Sequence, residues 1–228
     1  MFFQLLNQMP KISISATLKE KCPRLRLGCI EAEVKVTESG DALLSEIGER
    51  LEYIQQSLLV EQISKLPAIE ASRRGYRACG KDPARYRLSA EALLRRIVSG
   101  KGLYQINNVV DQLNLVSVAS GFSIGGYDAE KIQGDICFGI GQADEPYEGI
   151  GRGELNIENL AVFRDALGAF GTPTSDSSRT EVSLETRKFL MILIDFESND
   201  ELENAKMMAI HLLKAYCGAE NINEYNIV

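Results

Sequence analysis

Residues 100–128 read Gly100-Lys-Gly-Leu-Tyr-Gln-Ile-Asn-Asn-Val-Val-Asp-Gln-Leu-Asn-Leu-Val-Ser-Val-Ala-Ser-Gly-Phe-Ser-Ile-Gly-Gly-Tyr-Asp128. Gly100 and Gly102 make a turn, Asn107 or Asn108 can cap a helix, and Gly121 can close it just past its last turn. Between the caps, Val109, Val110, Leu113 and Val116 form one stripe at helical spacing, while Leu115 and Val118 make most of the remaining surface apolar. A helix apolar nearly all round is a buried helix, so this one is expected at the centre of the fold. Asp111 and Asn114, three residues apart on it, are neighbours in dry surroundings and need hydrogen-bonding partners. Past Gly121, the consecutive Gly125 and Gly126 beside Tyr127 let a backbone approach a ligand or a second strand closely.

Working outward, Ile12-Ser-Ile14 and the stretch from Leu25 to Val36 alternate with period two, so Lys11 to Thr37 reads as half-buried strands. Leu43, Ile47, Leu51, Ile54 and Leu58 share one helical face. Pro67 opens a further helix that Gly80 closes after Cys79, and Ser89 is expected to cap another that runs through Val98. Beyond the central segment, Ile132 to Ile140 reads as a strand, Gly139 to Gly153 as turns with a hairpin, and Leu160 to Phe163 as a short buried strand. Phe189-Leu-Met-Ile-Leu-Ile194 is continuously apolar, which predicts a strand central in a sheet. Ser198 with Glu201 predicts a capping box for a last helix that Gly218 ends. Strands, then helices, then strands, then a helix predict an α+β fold, with mixed β-sheets covered by helices on one side. The 228 residues suit one domain or two tightly joined lobes, with residues 1–8 as a disordered extension.

The first residues lack the basic start of a secretory signal, and no run reaches membrane-spanning length, so a cytoplasmic protein with no membrane association is expected. Five cysteines without a Cys-x-x-Cys pair, and a single histidine, give no zinc pattern; neither a metal nor a cofactor is expected. His211 falls beside the apolar stripe of the last helix, towards solvent, which counts against Ser-His or Cys-His catalysis. A net charge of −7 excludes a surface broadly coated for nucleic acid. From Arg73 to Lys101, however, nine basic residues face two acidic ones, and Tyr76 and Tyr86 are interleaved. Basic and aromatic residues together suit phosphates and unstacked bases, so Arg73, Arg74, Arg77, Arg85, Tyr86 and Arg87 are candidate RNA contacts. Gly171-Thr-Pro-Thr-Ser-Asp-Ser-Ser-Arg-Thr180 gathers hydroxyls, one carboxylate and one guanidinium; by composition it reads as a solvated loop.

The run from Gly102 to Asp111, followed by Asn114, Gly121 and Tyr127-Asp128, resembles the third-and-fourth domain of the β subunit of bacterial phenylalanyl-tRNA synthetase, with a looser likeness from roughly Arg73 to Phe196. The resemblance implies a layered sandwich and a domain that hydrolyses tyrosine wrongly attached to the phenylalanine tRNA. It implies a pocket made by Asn107, Asn108, Asp111, Asn114, Gly125, Gly126 and Tyr127 with Thr174, Ser175, Asp176, Ser178, Arg179 and Thr180. Within it, Asp176 and Arg179 would orient each other or meet the amino and carboxyl groups of an amino-acid-like ligand. The family carries a histidine where this chain has Gly125 and a glutamate where it has Ser178, the two groups that would grip the tyrosine hydroxyl and help position water. The expectation is a stand-alone editing-type domain that binds aminoacyl-tRNA and, if catalytic, hydrolyses its ester through positioned water, backbone amides and the hydroxyls of Thr174, Ser175 or Ser178. The alternative is a non-catalytic module holding an amino acid or related metabolite in the same pocket. An interaction subunit that docks on another protein is the third reading.

Overall fold

The computed structural model describes residues 10–228; the expected extension over residues 1–8 lies outside the described residues. The first half of the chain contains β1 (Ile12–Ile14), α1 (Ala16–Lys21), β2 (Arg26–Glu33), α2 (Asp41–Ser57), α3 (Pro67–Cys79), α4 (Ser89–Val98) and α5 (Asn108–Ser120). There follow β3 (Ser123–Asp128), β4 (Ile136–Ile140), β5 (Glu148–Gly149), β6 (Gly153–Glu154), β7 (Ala161–Asp165) and β8 (Gly168–Gly171). The chain continues with β9 (Lys188–Asp195), α6 (Glu201–Tyr216) and β10 (Glu220–Ile227). One sheet has the order β1-β4-β7-β8, with β1 parallel to β4 and the other pairs antiparallel. The second, β10-β2-β9-β3, is antiparallel throughout. A short hairpin joins β5 to β6.

The apolar run of β9 explains the layering. Leu190, Ile192 and Ile194 pack with Ile12, Ile136, Phe138 and Phe163 of the first sheet, whereas Phe189, Met191 and Leu193 pack with Val109, Val116, Leu212 and Leu213 of α5 and α6. A strand covered on both faces needs apolar side chains on both, and β9 has them without a break from Phe189 to Ile194. Its place between β2 and β3 is the central position expected from sequence. The result is an α+β sandwich of three layers: mixed sheet, antiparallel sheet, and helices α2, α5 and α6 over the outer face. A third apolar group joins α3 and α4 to α5 and β7, with Tyr76, Leu94, Ile97, Val118, Tyr147 and Val162 buried together. Phe138 stacks on Phe163 at 4.0 Å, and Tyr127 meets Phe170 edge-on at 4.9 Å between the sheets.

Asn107 is the N-cap of α5, its side chain accepting from the Val110 amide, and Gly121 closes the helix at φ +79°. Four local expectations change. The stretch from Lys11 to Thr37 is not all strand, because α1 is started inside it by Ser15, whose hydroxyl accepts from the Leu18 amide. The strand expected from Ile132 begins only at Ile136; a 3₁₀ turn over Ala129–Lys131 and a bend precede it. Ser198 does not cap α6: it stands at φ +53° with its hydroxyl donated to the Arg24 carbonyl, and Asn199 accepts from the Glu201 amide instead. Ser89 is the first residue of α4 rather than its cap, and its amide donates to the Pro173 carbonyl at 2.8 Å.

Candidate functional site

That last bond ties the start of α4 to the hydroxyl-rich loop, and a groove opens between them. Its volume is about 580 Å³. Arg87, Ser89, Arg95, Arg96 and Lys101 line one side, and Ile150 and Arg152 of the β5–β6 hairpin, Thr174, Ser175, Asp176, Asn114 and Tyr104 line the rest. This size suits a small molecule or the end of a larger one.

The loop is not the solvated stretch its composition predicts. Thr172, Thr174, Ser177 and Thr180 are buried. The Thr172 hydroxyl accepts from the amides of Thr174 and Ser175, Thr174 shares a hydrogen bond with the Tyr76 hydroxyl at 2.9 Å, and the Tyr147 hydroxyl donates to the Ser175 carbonyl at 2.6 Å. The Ile150 amide donates to the Asp176 carbonyl at 2.9 Å, fixing the hairpin to the loop. Buried polar groups are costly unless paired; Thr172, Thr174 and Tyr147 are paired here, while the buried Thr180 hydroxyl has no partner among the described residues.

Asp176 is held from β3. One carboxylate oxygen accepts from the Tyr127 hydroxyl at 2.9 Å and the other from the Gly126 amide at 3.3 Å. The residue keeps some exposed surface, but its carboxyl lies against Tyr127 and the β3 backbone with no cation paired to it among the described residues. Burial pushes the Asp176 carboxyl up to about 7; the Tyr127 hydroxyl and the Gly126 amide hold it lower than burial alone would. The Tyr127 hydroxyl is in turn raised, by burial first and then by the Asp176 charge. A Cβ on Gly125 or on Gly171 would overlap the Tyr127 hydroxyl, so the two glycines make the slot that this ring occupies.

The expected pocket residues divide into three places. Asn114, Thr174, Ser175 and Asp176 line the groove, with Gly126 and Tyr127 behind Asp176. Asn107, Asn108 and Asp111 belong to the scaffold at the start of α5. Asn108 donates to the carbonyls of Lys35 and Tyr216 and accepts from the Thr37 amide; Asp111 accepts from the Ser39 hydroxyl at 2.6 Å and the Ile106 amide at 2.9 Å. Ser178 and Arg179 border a separate hollow with Glu145, Tyr147, Glu148 and Glu154. Arg179 does not orient Asp176: it grips Asp165 with both terminal nitrogens, at 3.0 and 2.9 Å, because that carboxylate is the nearest fork-shaped partner. Thr180 is fully buried.

The basic belt also divides. Arg73 is committed to buried Glu91, and Arg74 to Glu70 and Glu197. Arg77 and Arg85 are exposed away from the groove lining, and Tyr86 carries Lys81 over its ring at 3.8 Å. Of the six candidate RNA contacts, Arg87 lines the groove. Arg96, Lys101 and Arg152 join it, and among the described residues these four cations make no ion pair. Arg96 lies 3.8 Å over the Tyr104 ring. Sequence reasoning missed Tyr104 and Arg152 as site residues; the glycines flanking Arg152, at 151 and 153, were the signal that a tight hairpin would present it. His211 is exposed on α6, as expected, and the described cysteines are free thiols. Among the described residues no group of His, Cys, Asp and Glu could hold a metal ion, and no helix is long and apolar enough to cross a membrane.

The family model of the B3/4 domain matches residues 71–218, which takes in the groove, its loop and strands β3 to β9. The chain belongs to the B3/4 domain family. The likeness to the third-and-fourth domain of the phenylalanyl-tRNA synthetase β subunit, read above from Gly102 to Asp128, is of this kind. Among solved structures, an N-terminal fragment of the phenylalanyl-tRNA synthetase β subunit from Pyrococcus horikoshii is similar at 13% identity and a TM-score of 0.47, over 99% of this chain and 54% of that one. The B3/4 chain therefore spans about half the length of that fragment. No curated protein matches the sequence.

Proposed function

We propose that the groove receives the acceptor end of a tRNA, with its attached amino acid lodged against the loop at Thr174–Asp176. The observation that carries this reading is the set of four cations, Arg87, Arg96, Lys101 and Arg152, that make no ion pair among the described residues, around a groove whose lining holds one acidic residue, Asp176. Cations without carboxylate partners are available to phosphates, Tyr104 offers a face for a base, and Asp176 meets the amino group of an amino acid. Membership of the B3/4 family agrees with a synthetase-related role. The two departures at Gly125 and Ser178 count against a pocket tuned to the tyrosine hydroxyl.

Binding of charged and uncharged tRNA to the purified protein, measured over a range of salt, tests this. Phosphate contacts make the logarithm of affinity fall with the logarithm of salt by roughly 0.7 to 0.9 per contact, so four contacts give a slope near −3. Arg87→Ala and Arg152→Ala are each expected to reduce that slope by about one. Absence of binding at low salt overturns the reading. Binding of free amino acids with no tRNA affinity would point instead to a metabolite module in the same groove.

A further inference from the structure

We propose that Cys22 and Cys79 form a redox-reversible pair: a hydroperoxide oxidises them to one disulfide that ties the end of α1 to the end of α3, and a small thiol reopens it. Cys22 follows the last residue of α1, and Cys79 is the last residue of α3. Two contacts dock these ends together. The Lys21 ammonium donates to the Ala78 carbonyl at 3.2 Å, and Cys22 Sγ lies 4.0 Å from the Gly75 carbonyl oxygen. Gly75 stands one helical turn before Cys79, so the Cys22 sulfur rests on the turn that carries its partner. The two side chains share one apolar cluster, and their thiols hydrogen-bond to each other.

Closing the bond brings two neighbouring sulfurs to about 2.05 Å. The shift falls at the end of a six-residue helix rather than within a long element. Cys22 and Cys79 keep 5% and 4% of their surface open where Cys29 has none, so a small oxidant has an approach to the pair that it lacks to Cys29. Cys29 and Cys217 also have no sulfur acting on them; burial comes first in pushing both thiols up to about 12. Within the pair the roles differ. The bond that Cys22 donates, with the nearby Lys21 charge, holds the Cys79 thiol below its ordinary value against burial, and the same bond raises Cys22.

The Cys79 thiolate attacks the terminal oxygen of the hydroperoxide. The O–O bond breaks, and the departing oxygen takes up the proton that Cys79 gave to solvent, leaving as water or an alcohol. Cys79 is then a sulfenic acid. The Cys22 sulfur attacks the Cys79 sulfur as the S–O bond breaks, and the Cys22 proton leaves with the hydroxide as water. The two thiols have then given two electrons to the peroxide, and two equivalents of a thiol reductant return them. Tyr76, on the same turn of α3 as Cys79, holds Thr174 of the groove loop, so the disulfide fixes the helix that supports that loop.

The test uses no tRNA and stands apart from the groove reading. The reduced protein is treated with hydrogen peroxide, quenched by alkylation and mapped by mass spectrometry. The expected map shows a peptide cross-linked through Cys22 and Cys79 that dithiothreitol abolishes. Cys22→Ala is expected to stop at a Cys79 sulfenic acid that dimedone traps, and Cys79→Ala to leave Cys22 reduced at peroxide concentrations that oxidise the native chain. The native-chain map decides the pairing even where a variant fails to fold. A native chain in which Cys22 and Cys79 both stay reduced while the half-buried Cys137 is oxidised overturns the proposal. So does a cross-link from either residue to another cysteine, or one that forms only after the protein is unfolded.

Discussion

Gly125 shows how one missing side chain organises a site. Its bare Cα leaves room for the Tyr127 hydroxyl, which places that hydroxyl on Asp176 forty-nine residues further along the chain. Gly125→Ala should push the ring aside, cost about 1–3 kcal/mol in denaturant unfolding, and move any Asp176-dependent pH profile to higher pH, because the hydroxyl bond is lost. The part of the site that was legible in the sequence was the part made locally. Asn107 as a cap and the partners demanded by Asp111 follow from a polar residue placed on an apolar helix, whatever the rest of the fold does. The Tyr127–Asp176 contact has no such local cause; it depends on where β3 runs relative to the 171–180 loop. For the same reason Asp165 could displace Asp176 as the partner of Arg179, since β7 and β8 bring it within 3 Å of the guanidinium.

Elements were readable in proportion to how many periods of their pattern they contain. α5 and β9 present several turns or alternations of apolar residues, and both stand where expected. α1 is six residues long, too short for a helical stripe to show against the strand-like residues around it. β10 has half-buried Ile222, Tyr225 and Ile227 among exposed Glu and Asn, and a register irregularity between Glu220 and Asn223 shifts the alternation that would have marked it. At the start of α6 the capping-box spacing of Ser198 and Glu201 was present, but the left-handed backbone at Ser198 turns that hydroxyl back to Arg24. Asn199→Ala is therefore expected to lower stability by about 1 kcal/mol, and Ser198→Ala by less than half of that, in paired unfolding curves.

For the molecule as a whole, the raised Asp176 carboxyl has a consequence for stability. Its value is about 7 in the folded chain against 3.8 for an unperturbed aspartate, so the folded state binds more protons between those limits. Stability from this group is fully present below about 4 and is lost as pH rises through about 7. Asp165 and Glu145, held low against burial by Arg179 and Arg164, act in the opposite sense at lower pH. The difference between the unfolding free energies of the native chain and Asp176→Asn isolates the first effect; it should change between pH 4 and 7 and be flat above 8. The sheets were legible as layers, but not their order, because β2 is paired along one edge with β9, from Arg26 with Asp195 to Glu33 with Lys188, and along the other with β10, from Leu27 with Ile227 to Glu33 with Glu220. A chain made from its N-terminus has β2 more than 150 residues before either of its neighbours, β9 and β10. During synthesis Leu27, Cys29 and Ile30 thus have no strand neighbours until residue 188 and beyond have left the ribosome, so the layer behind the groove is completed only after β9 and β10 have been made.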